Sequence, residues 1–145
     1  MMKRILVMLS LLLIVVLGLI ACGTGAGEAM LEDTVWVLES YGGPGNLKAV
    51  LADTEITAEF VSSERTVKGS AGCNSYFGSY ELEGSQLSIP GPIGATEMYC
   101  AEPEGVMDQE QEYLMLLESS DSYTMDSDEL TINCGSEVLV FIEER

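Results

Sequence analysis

The strongest local constraints in this 145-residue chain lie in one stretch, Gly69-Ser70-Ala71-Gly72-Cys73-Asn74-Ser75-Tyr76-Phe77-Gly78-Ser79-Tyr80. Gly72 and Gly78, on either side of Cys73, permit tight backbone geometry because glycine carries no Cβ. Asn74 tolerates the left-handed conformation, and its side chain can bond its own backbone. These residue types predict a sharp structural turn and give no sign of catalysis.

Outward from this stretch, apolar residues recur mostly with a period of two, which is typical of half-buried strands. In Glu55–Phe60, the side chains of Ile56, Ala58 and Phe60 are expected to face the core while the polar side chains between them face water. Further strands are predicted at Tyr76–Leu82, Gln86–Ile89, Ser122–Met125, Leu130–Cys134 and Val138–Ile142. The sequence therefore predicts a mainly β fold.

Two glycine-serine pairs, Gly84-Ser85 and Gly135-Ser136, indicate tight hairpin turns between strands. Glycine supplies the positive φ that such turns require. With the second pair as the loop, three strand pairs are predicted: Cys134 with Glu137, Ile132 with Leu139, and Leu130 with Phe141. This register is favoured because it places the apolar residues on one face.

One segment departs from the period of two and predicts a helix. Pro103 suits a first turn, where its missing N–H is not needed, and apolar residues follow at spacings of three and four. We predict an amphipathic helix from about Pro103 to Glu118, which makes the class α+β. Met107, Tyr113 and Met115 are interpreted as core residues, not as a cofactor site.

The N-terminus has the organisation of a secretory signal. Lys3 and Arg4 precede an uncharged apolar run, Ile5–Ala21. This run ends in Leu19-Ile20-Ala21-Cys22-Gly23, which resembles a lipobox, the signal at which a prolipoprotein is acylated on cysteine and cut just before it. The resemblance implies that Cys22 is the lipidated N-terminus, and the acyl chains would anchor the protein to a membrane. An uncleaved membrane helix and ordinary signal cleavage are the alternatives.

Three parts follow from this interpretation. Residues 1–21 form a signal peptide, residues 22–32 hold the lipidated cysteine and a flexible Gly-rich tether, and residues 33–145 form one domain. A chain of this size can bury a single core. We expect the domain to lie on the extracytoplasmic side of a membrane, at the cell surface or in a periplasm.

The chain is strongly acidic, with 24 Asp and Glu, 6 Lys and Arg, and a formal charge of −18. Loss of Lys3 and Arg4 with the signal would change this charge to −20. Such a surface repels phosphates, so nucleic acid is not an expected partner. The acidic residues are interpreted as a solvated surface, with collection of divalent cations or of a basic partner as the alternative.

The sequence contains few groups of residues that could form a catalytic or metal-binding site. The chain contains no histidine, which excludes Cys–His and Ser–His catalysis, and its separated cysteines make a weak metal signature. Asp126-Ser127-Asp128-Glu129 lacks the pattern of a calcium loop and is interpreted as a solvated turn. We predict no catalytic residue, no metal site and no cofactor, and we do not expect an enzyme.

The opening stretch is similar to the G-x-x-GCN-x-[FY]-x-G-x-Y signature of META domains (the HslJ-like or DUF306 family), with Gly72, Cys73, Asn74 and Gly78 at matching positions. The resemblance implies a compact antiparallel sheet, curved toward a barrel, with one packed helix. It also implies a link to heat stress, drug tolerance and, in parasites, virulence, without an agreed chemistry.

A second element extends the resemblance. Thr96-Glu97-Met98-Tyr99-Cys100 is similar to the family's T-x-M-x-C element, whose matching residues here are Thr96, Met98 and Cys100. With Trp36-Val37-Leu38 and the last apolar strand, the resemblance covers about Asp33 to Glu143.

Three cysteines beyond Cys22 predict one bridge and one remaining thiol in an oxidising compartment. We place the bridge between Cys73 and Cys100, where it would remove about 3 to 4 kcal/mol of unfolded-chain entropy. Cys134 follows inward-facing residues and is interpreted as a small buried hydrophobe. A bridge from Cys134 to Cys73 or Cys100 is the alternative.

Two functions are compatible with these features. The first is a non-catalytic envelope module that binds an envelope protein or a small molecule, or that helps to maintain the envelope under stress. The second is a thiol-based redox or sequestration role through Cys73, Cys100 or Cys134.

Overall fold

A computed structural model describes residues 30–145, which form one antiparallel sheet of eleven strands and one α-helix. The strands are β1 Val35–Gly43, β2 Asn46–Ala49, β3 Thr57–Val61, β4 Thr66–Ser70, β5 Ser75–Ser79, β6 Glu81–Glu83, β7 Gln86–Ser88, β8 Gly94–Ala95, β9 Ser122–Asp126, β10 Glu129–Cys134 and β11 Glu137–Glu143. The helix, α1, spans Val106–Glu118. The predicted mainly β fold with one packed helix is confirmed.

The sheet curls because its two ends are joined by the chain. In the sheet order β6-β7-β9-β10-β11-β1-β3-β4-β5-β8, strands β5 and β6 lie near opposite ends. Only Tyr80 separates them in sequence, and its backbone N–H donates to the carbonyl of Arg65, the residue just before the neighbouring β4. The result is a half-barrel that encloses the core.

The alternation predicted for the strands is confirmed. Ile56, Ala58 and Phe60 are fully buried, and the Gly135-Ser136 hairpin pairs Cys134, Ile132 and Leu130 with their predicted partners on β11. The Gly84-Ser85 hairpin joins β6 to β7, pairing Glu83 with Gln86. Large aromatic side chains fill the centre: Trp36, Phe60, Tyr76, Tyr80, Tyr113 and Phe141.

The single strand predicted for Tyr76–Leu82 is two strands. The sheet bends at Tyr80, whose ring is buried edge-on against Phe60 with 5.3 Å between ring centroids. The period of two continues through the bend, so the alternation of residues could not reveal it. This correction matters for the fold because the bend is what brings the two ends of the sheet together.

The helix begins three residues later than predicted. Gly105 has a φ of +89°, a left-handed conformation that a helix interior does not contain, and the N–H of Val106 donates back to the carbonyl of Pro103. Pro103 therefore lies in a turn before α1. The interpretation of Met115 as a core residue is also wrong, since this side chain is 56% exposed.

Among the described residues, packing begins at Leu31, two positions before the predicted domain boundary. Its side chain is buried, and its carbonyl accepts a hydrogen bond from the Trp36 indole nitrogen at 3.1 Å. Asp33 follows, and its carboxylate accepts from the backbone and hydroxyl of Ser62. The predicted signal peptide, Cys22 and most of the tether lie outside the described residues. Between residues 30 and 145, no helix is long and apolar enough to cross a bilayer.

Candidate functional site

Asn74 is the centre of a buried polar cluster at the turn between β4 and β5. Its side chain is 2% exposed and uses its full hydrogen-bonding capacity. The Oδ1 atom accepts from the hydroxyl of Thr96 at 2.7 Å and from the N–H of Met98 at 2.8 Å. The amide nitrogen donates to the Met98 carbonyl at 3.0 Å and to the carboxylate of Glu110 at 2.7 Å.

Glu110 brings helix α1 into this cluster. Its carboxylate accepts from the backbone N–H of Asn74 at 2.7 Å and of Cys73 at 3.2 Å, in addition to the Asn74 side chain. The residue is 7% exposed. A buried carboxylate is costly without such partners, and N–H groups that point at it compensate the lost hydration.

A disulfide closes the cluster covalently. Cys73 is bonded to Cys100, with 6.0 Å between their Cα atoms. The bond ties the 96–100 loop to the turn at which Asn74 holds the same loop by hydrogen bonds. We call this arrangement the Asn74 clasp, and it consists of Cys73, Asn74, Thr96, Met98, Cys100 and Glu110.

Two glycines of the signature, Gly72 and Gly78, allow close packing around the clasp. Gly72 has a φ of +108° and faces α1, where an added Cβ would lie 3.5 Å from the Gln109 side chain. A Cβ on Gly78 would lie 3.2 Å from the side chain of Ile93. The predicted signature residues therefore lie around one turn and its neighbours, with Gly78 further along β5.

Sequence reasoning did not identify Glu110 and Gln109 as site residues. Gln109 is also buried, and it accepts from the N–H of Leu51 at 2.7 Å and donates to the hydroxyl of Thr54 at 3.0 Å. The available signal was the helical spacing, which placed Glu110 among apolar side chains on the inward face. A charged residue at such a position predicts a buried partner.

Cys134 lies apart from the disulfide. It is the free cysteine among residues 30–145, it is 5% exposed, and burial raises the pKa of its thiol to about 12. Close to it, the buried hydroxyls of Tyr76 and Tyr113 lie 2.7 Å apart, and burial raises the pKa of both tyrosines. A thiol in this environment stays protonated, which opposes nucleophilic chemistry.

Two open acidic grooves mark the surface. The helix groove, about 530 Å³, runs beside α1 and is bordered by Asp108, Glu112, Met115, Ser119 and Glu137. The hairpin groove, about 560 Å³, lies beside β6 and β7 and is bordered by Glu81, Glu83, Leu82 and Asp121. In the described part of the chain, no three Asp, Glu or Cys side chains are grouped to hold a metal ion.

Comparisons with known proteins agree with the fold. The profile of the META domain family matches residues 29–145. An NMR structure of a protein from Burkholderia xenovorans is similar, with 30% identity, a TM-score of 0.66, and coverage of 79% of this chain and 83% of the other.

Two further solved structures share the fold. A second NMR structure has 25% identity and a TM-score of 0.55, over 75% of this chain and 87% of that one. A crystal structure of a DUF4847 family protein from Bacteroides vulgatus has 14% identity and a TM-score of 0.54, over 78% and 94% of the two chains. Among proteins with curated descriptions, none matches the chain.

Proposed function

The chain belongs to the META domain family, and on this basis we propose that it is a membrane-anchored extracytoplasmic lipoprotein whose domain binds a partner and performs no catalysis. Its role would be to support the cell envelope under stress. The signal peptide and the lipidated Cys22 belong to this proposal.

The observation that carries the proposal is that the buried polar groups of the clasp are bonded within the fold. The Asn74 side chain makes four hydrogen bonds within the fold, and the Glu110 carboxylate receives three. These bonds fill the capacity of the Asn74 amide and most of that of the carboxylate, and both residues are buried, so they hold segments together and are not presented to a substrate. The clasp therefore supports a structural role for the signature, which leaves the outer surface for recognition.

The disulfide supports the extracytoplasmic placement. Disulfides such as Cys73–Cys100 persist in oxidising compartments and are rare in the reducing cytosol. The sequence before residue 30, with its basic start and apolar run, supports export independently. A lipid on Cys22 would then keep the domain at the membrane.

The thiol-based alternative has less support. Cys73 and Cys100 are bonded to each other, and Cys134 is buried with a pKa raised to about 12. A redox or metal-sequestering thiol needs exposure and thiolate character. We therefore retain the binding module as the proposed function.

The anchor is tested by comparing wild type with Cys22→Ser after expression in a bacterium that processes lipoproteins. We expect the wild type to gain acyl mass and to partition into the detergent phase, and we expect the variant to keep its full-length mass. Cys134→Ala is the matched control, because it removes a cysteine outside the lipobox and should leave acylation unchanged. Equal intact mass and equal partitioning of wild type and Cys22→Ser would overturn the anchor.

A further inference from the structure

A second depression of about 280 Å³ lies beside the start of α1, on the side of the clasp. It is lined by residues from Tyr99 to Asp108, and it meets the helix groove at Asp108, which borders both. We call these two adjoining depressions, with borders from Tyr99 to Glu137, the trough. A helix of 13 residues gives this trough a length of about 20 Å.

The trough presents apolar side chains that the core does not use. Tyr99 is 82% exposed and Met115 is 56% exposed, and Met107 is half-buried. The backbone beneath Tyr99 is held on both sides, because Asn74 bonds the N–H and carbonyl of Met98 and the disulfide fixes Cys100. Methionine side chains adapt to varied apolar partners, so this surface combines an aromatic side chain on a held backbone with adaptable neighbours.

The rim of the trough is negative. Asp108, Glu104 and Glu137 border it, and the four ion pairs found within residues 30–145 include none of these three carboxylates. Lys48 pairs with Glu112 and also interacts electrostatically with Glu137, so this one cation offsets only part of the negative charge. The surplus of negative charge around exposed apolar side chains favours a partner that is both basic and apolar.

We propose that this trough binds a basic amphipathic segment of a protein partner, an apolar stripe packing on Tyr99 and Met115 with lysine or arginine side chains meeting Asp108 and Glu137. Helix-in-groove recognition of this kind needs an apolar stripe at helical spacing and complementary charge beside it. The inference deepens the proposed function, on which it rests, by naming the partner class.

The hairpin groove provides an internal comparison. Its volume is similar to that of the helix groove, and its border likewise carries carboxylates, those of Glu81, Glu83 and Asp121. Its apolar residues Leu82 and Leu87 are half-buried and buried, respectively. A basic amphipathic segment should therefore distinguish the trough from the hairpin groove through apolar contact.

The test uses the full chain in phosphatidylcholine nanodiscs, with empty nanodiscs as the baseline. The probe is a fluorescent lysine–leucine peptide of about 13 residues with leucine at helical spacing, a length chosen to match the trough. Fluorescence anisotropy should give a dissociation constant of about 10 μM. A peptide of the same composition in scrambled order should bind at least about tenfold more weakly, since it has no apolar stripe.

Paired variants locate the site. Met115→Gln should weaken binding about tenfold, and the pair Asp108→Asn with Glu137→Gln should weaken it and reduce its salt dependence. The pair Glu81→Gln with Glu83→Gln makes the same change in net charge at the hairpin groove and should leave the affinity within about twofold. Unchanged near-ultraviolet circular dichroism would confirm that all variants are folded.

Three results would overturn the inference: equal weakening by the two charge-matched pairs, equal affinity for the scrambled peptide, or no binding up to about 1 mM. Failure here is distinguishable from failure of the proposed function. An acylated, exported chain that does not bind the peptide contradicts only the partner class. An unacylated cytosolic chain contradicts the anchor, whatever the peptide does.

Discussion

The two faces of helix α1 both carry acidic side chains, but the environments of these side chains are opposite. On the inner face, the carboxylate of Glu110 is buried and receives three N–H donors. On the outer face, Asp108 is exposed and Glu112 meets Lys48 in a solvent-accessible ion pair. Burial and N–H partners, more than residue type, therefore determine which acidic residue maintains the fold and which can meet a partner.

The largest expected effect comes from removing the inner carboxylate. Glu110→Ala leaves the N–H groups of Cys73 and Asn74 and the Asn74 amide without their acceptor in a buried site. We expect a loss of about 3 to 5 kcal/mol in the free energy of unfolding, measured by urea denaturation. Asp108→Ala on the outer face is the control, with a change below about 0.5 kcal/mol. Equal effects of the two variants would remove the distinction between the faces.

Loss of the disulfide should have the next largest effect. The variant with Cys73→Ser and Cys100→Ser should lose about 3 kcal/mol, because the unfolded chain regains the entropy of a loop whose ends are 27 positions apart. Reductant should destabilise the wild type by a similar amount and leave this variant unchanged. If reductant destabilised both proteins equally, its effect on stability would not be due to the reduction of this disulfide.

The dependence of stability on alkaline pH should reveal the contribution of the buried Cys134 thiol. Burial raises the pKa of Cys134 from an ordinary value of 9.0 to about 12, so the folded state favours the neutral thiol. The stabilisation is fully present below pH 9 and is lost as the pH rises from 9 through about 12. Cys134→Ala should therefore show a shallower decline in unfolding free energy between these values.

Tyr76 and Tyr113, whose pKa values are also raised by burial, remain in both proteins and add a decline of their own above their ordinary value of 10.0. The charge of Cys134 is a minor cause of the raised pKa of Tyr113. Urea denaturation of wild type and Cys134→Ala at several pH values therefore gives, by difference, the contribution of the thiol together with its effect on Tyr113. Parallel curves for the two proteins would contradict a buried protonated thiol.

The smallest effect is expected at the outer ion pair. Glu112→Gln removes the partner of Lys48 at a site where both side chains are accessible, and such pairs contribute about 0.5 kcal/mol or less. Thermal denaturation at low and high salt should therefore differ little between this variant and the wild type. A loss above about 2 kcal/mol would place Glu112 with Glu110 as a structural residue.

Much of the fold could be predicted from local patterns. Alternation identified the inward face of β3 through Ile56, Ala58 and Phe60, and the glycine of the last turn fixed the register of β10 and β11. Strand β4 was missed because Val67 is the one buried apolar side chain of Thr66–Ser70, too little for a period to be visible. The bend at Tyr80 was missed because a bend changes direction without interrupting alternation.

The site was harder to predict because its contacts are distant in sequence. The matching residues at Asn74, Thr96 and Met98 came from family resemblance, whereas the contact of Asn74 with Glu110 joins residues 36 apart. Glu110 lies four residues after Val106 and three before Tyr113, a spacing that places it on the inward face of the helix. This spacing could not show which N–H groups its carboxylate would contact. Met115 was assigned to the core because methionine is apolar. Its side chain is exposed because the opposite flank of α1 packs against the sheet.

Asn74 and Glu110 act together to hold the fold, and a double-mutant cycle measures the coupling between them. The free energies of unfolding of wild type, Asn74→Ala, Glu110→Ala and the double variant should show a coupling of about 2 kcal/mol, because each single variant already removes the shared hydrogen bonds. Effects that add to within about 0.5 kcal/mol would contradict the clasp.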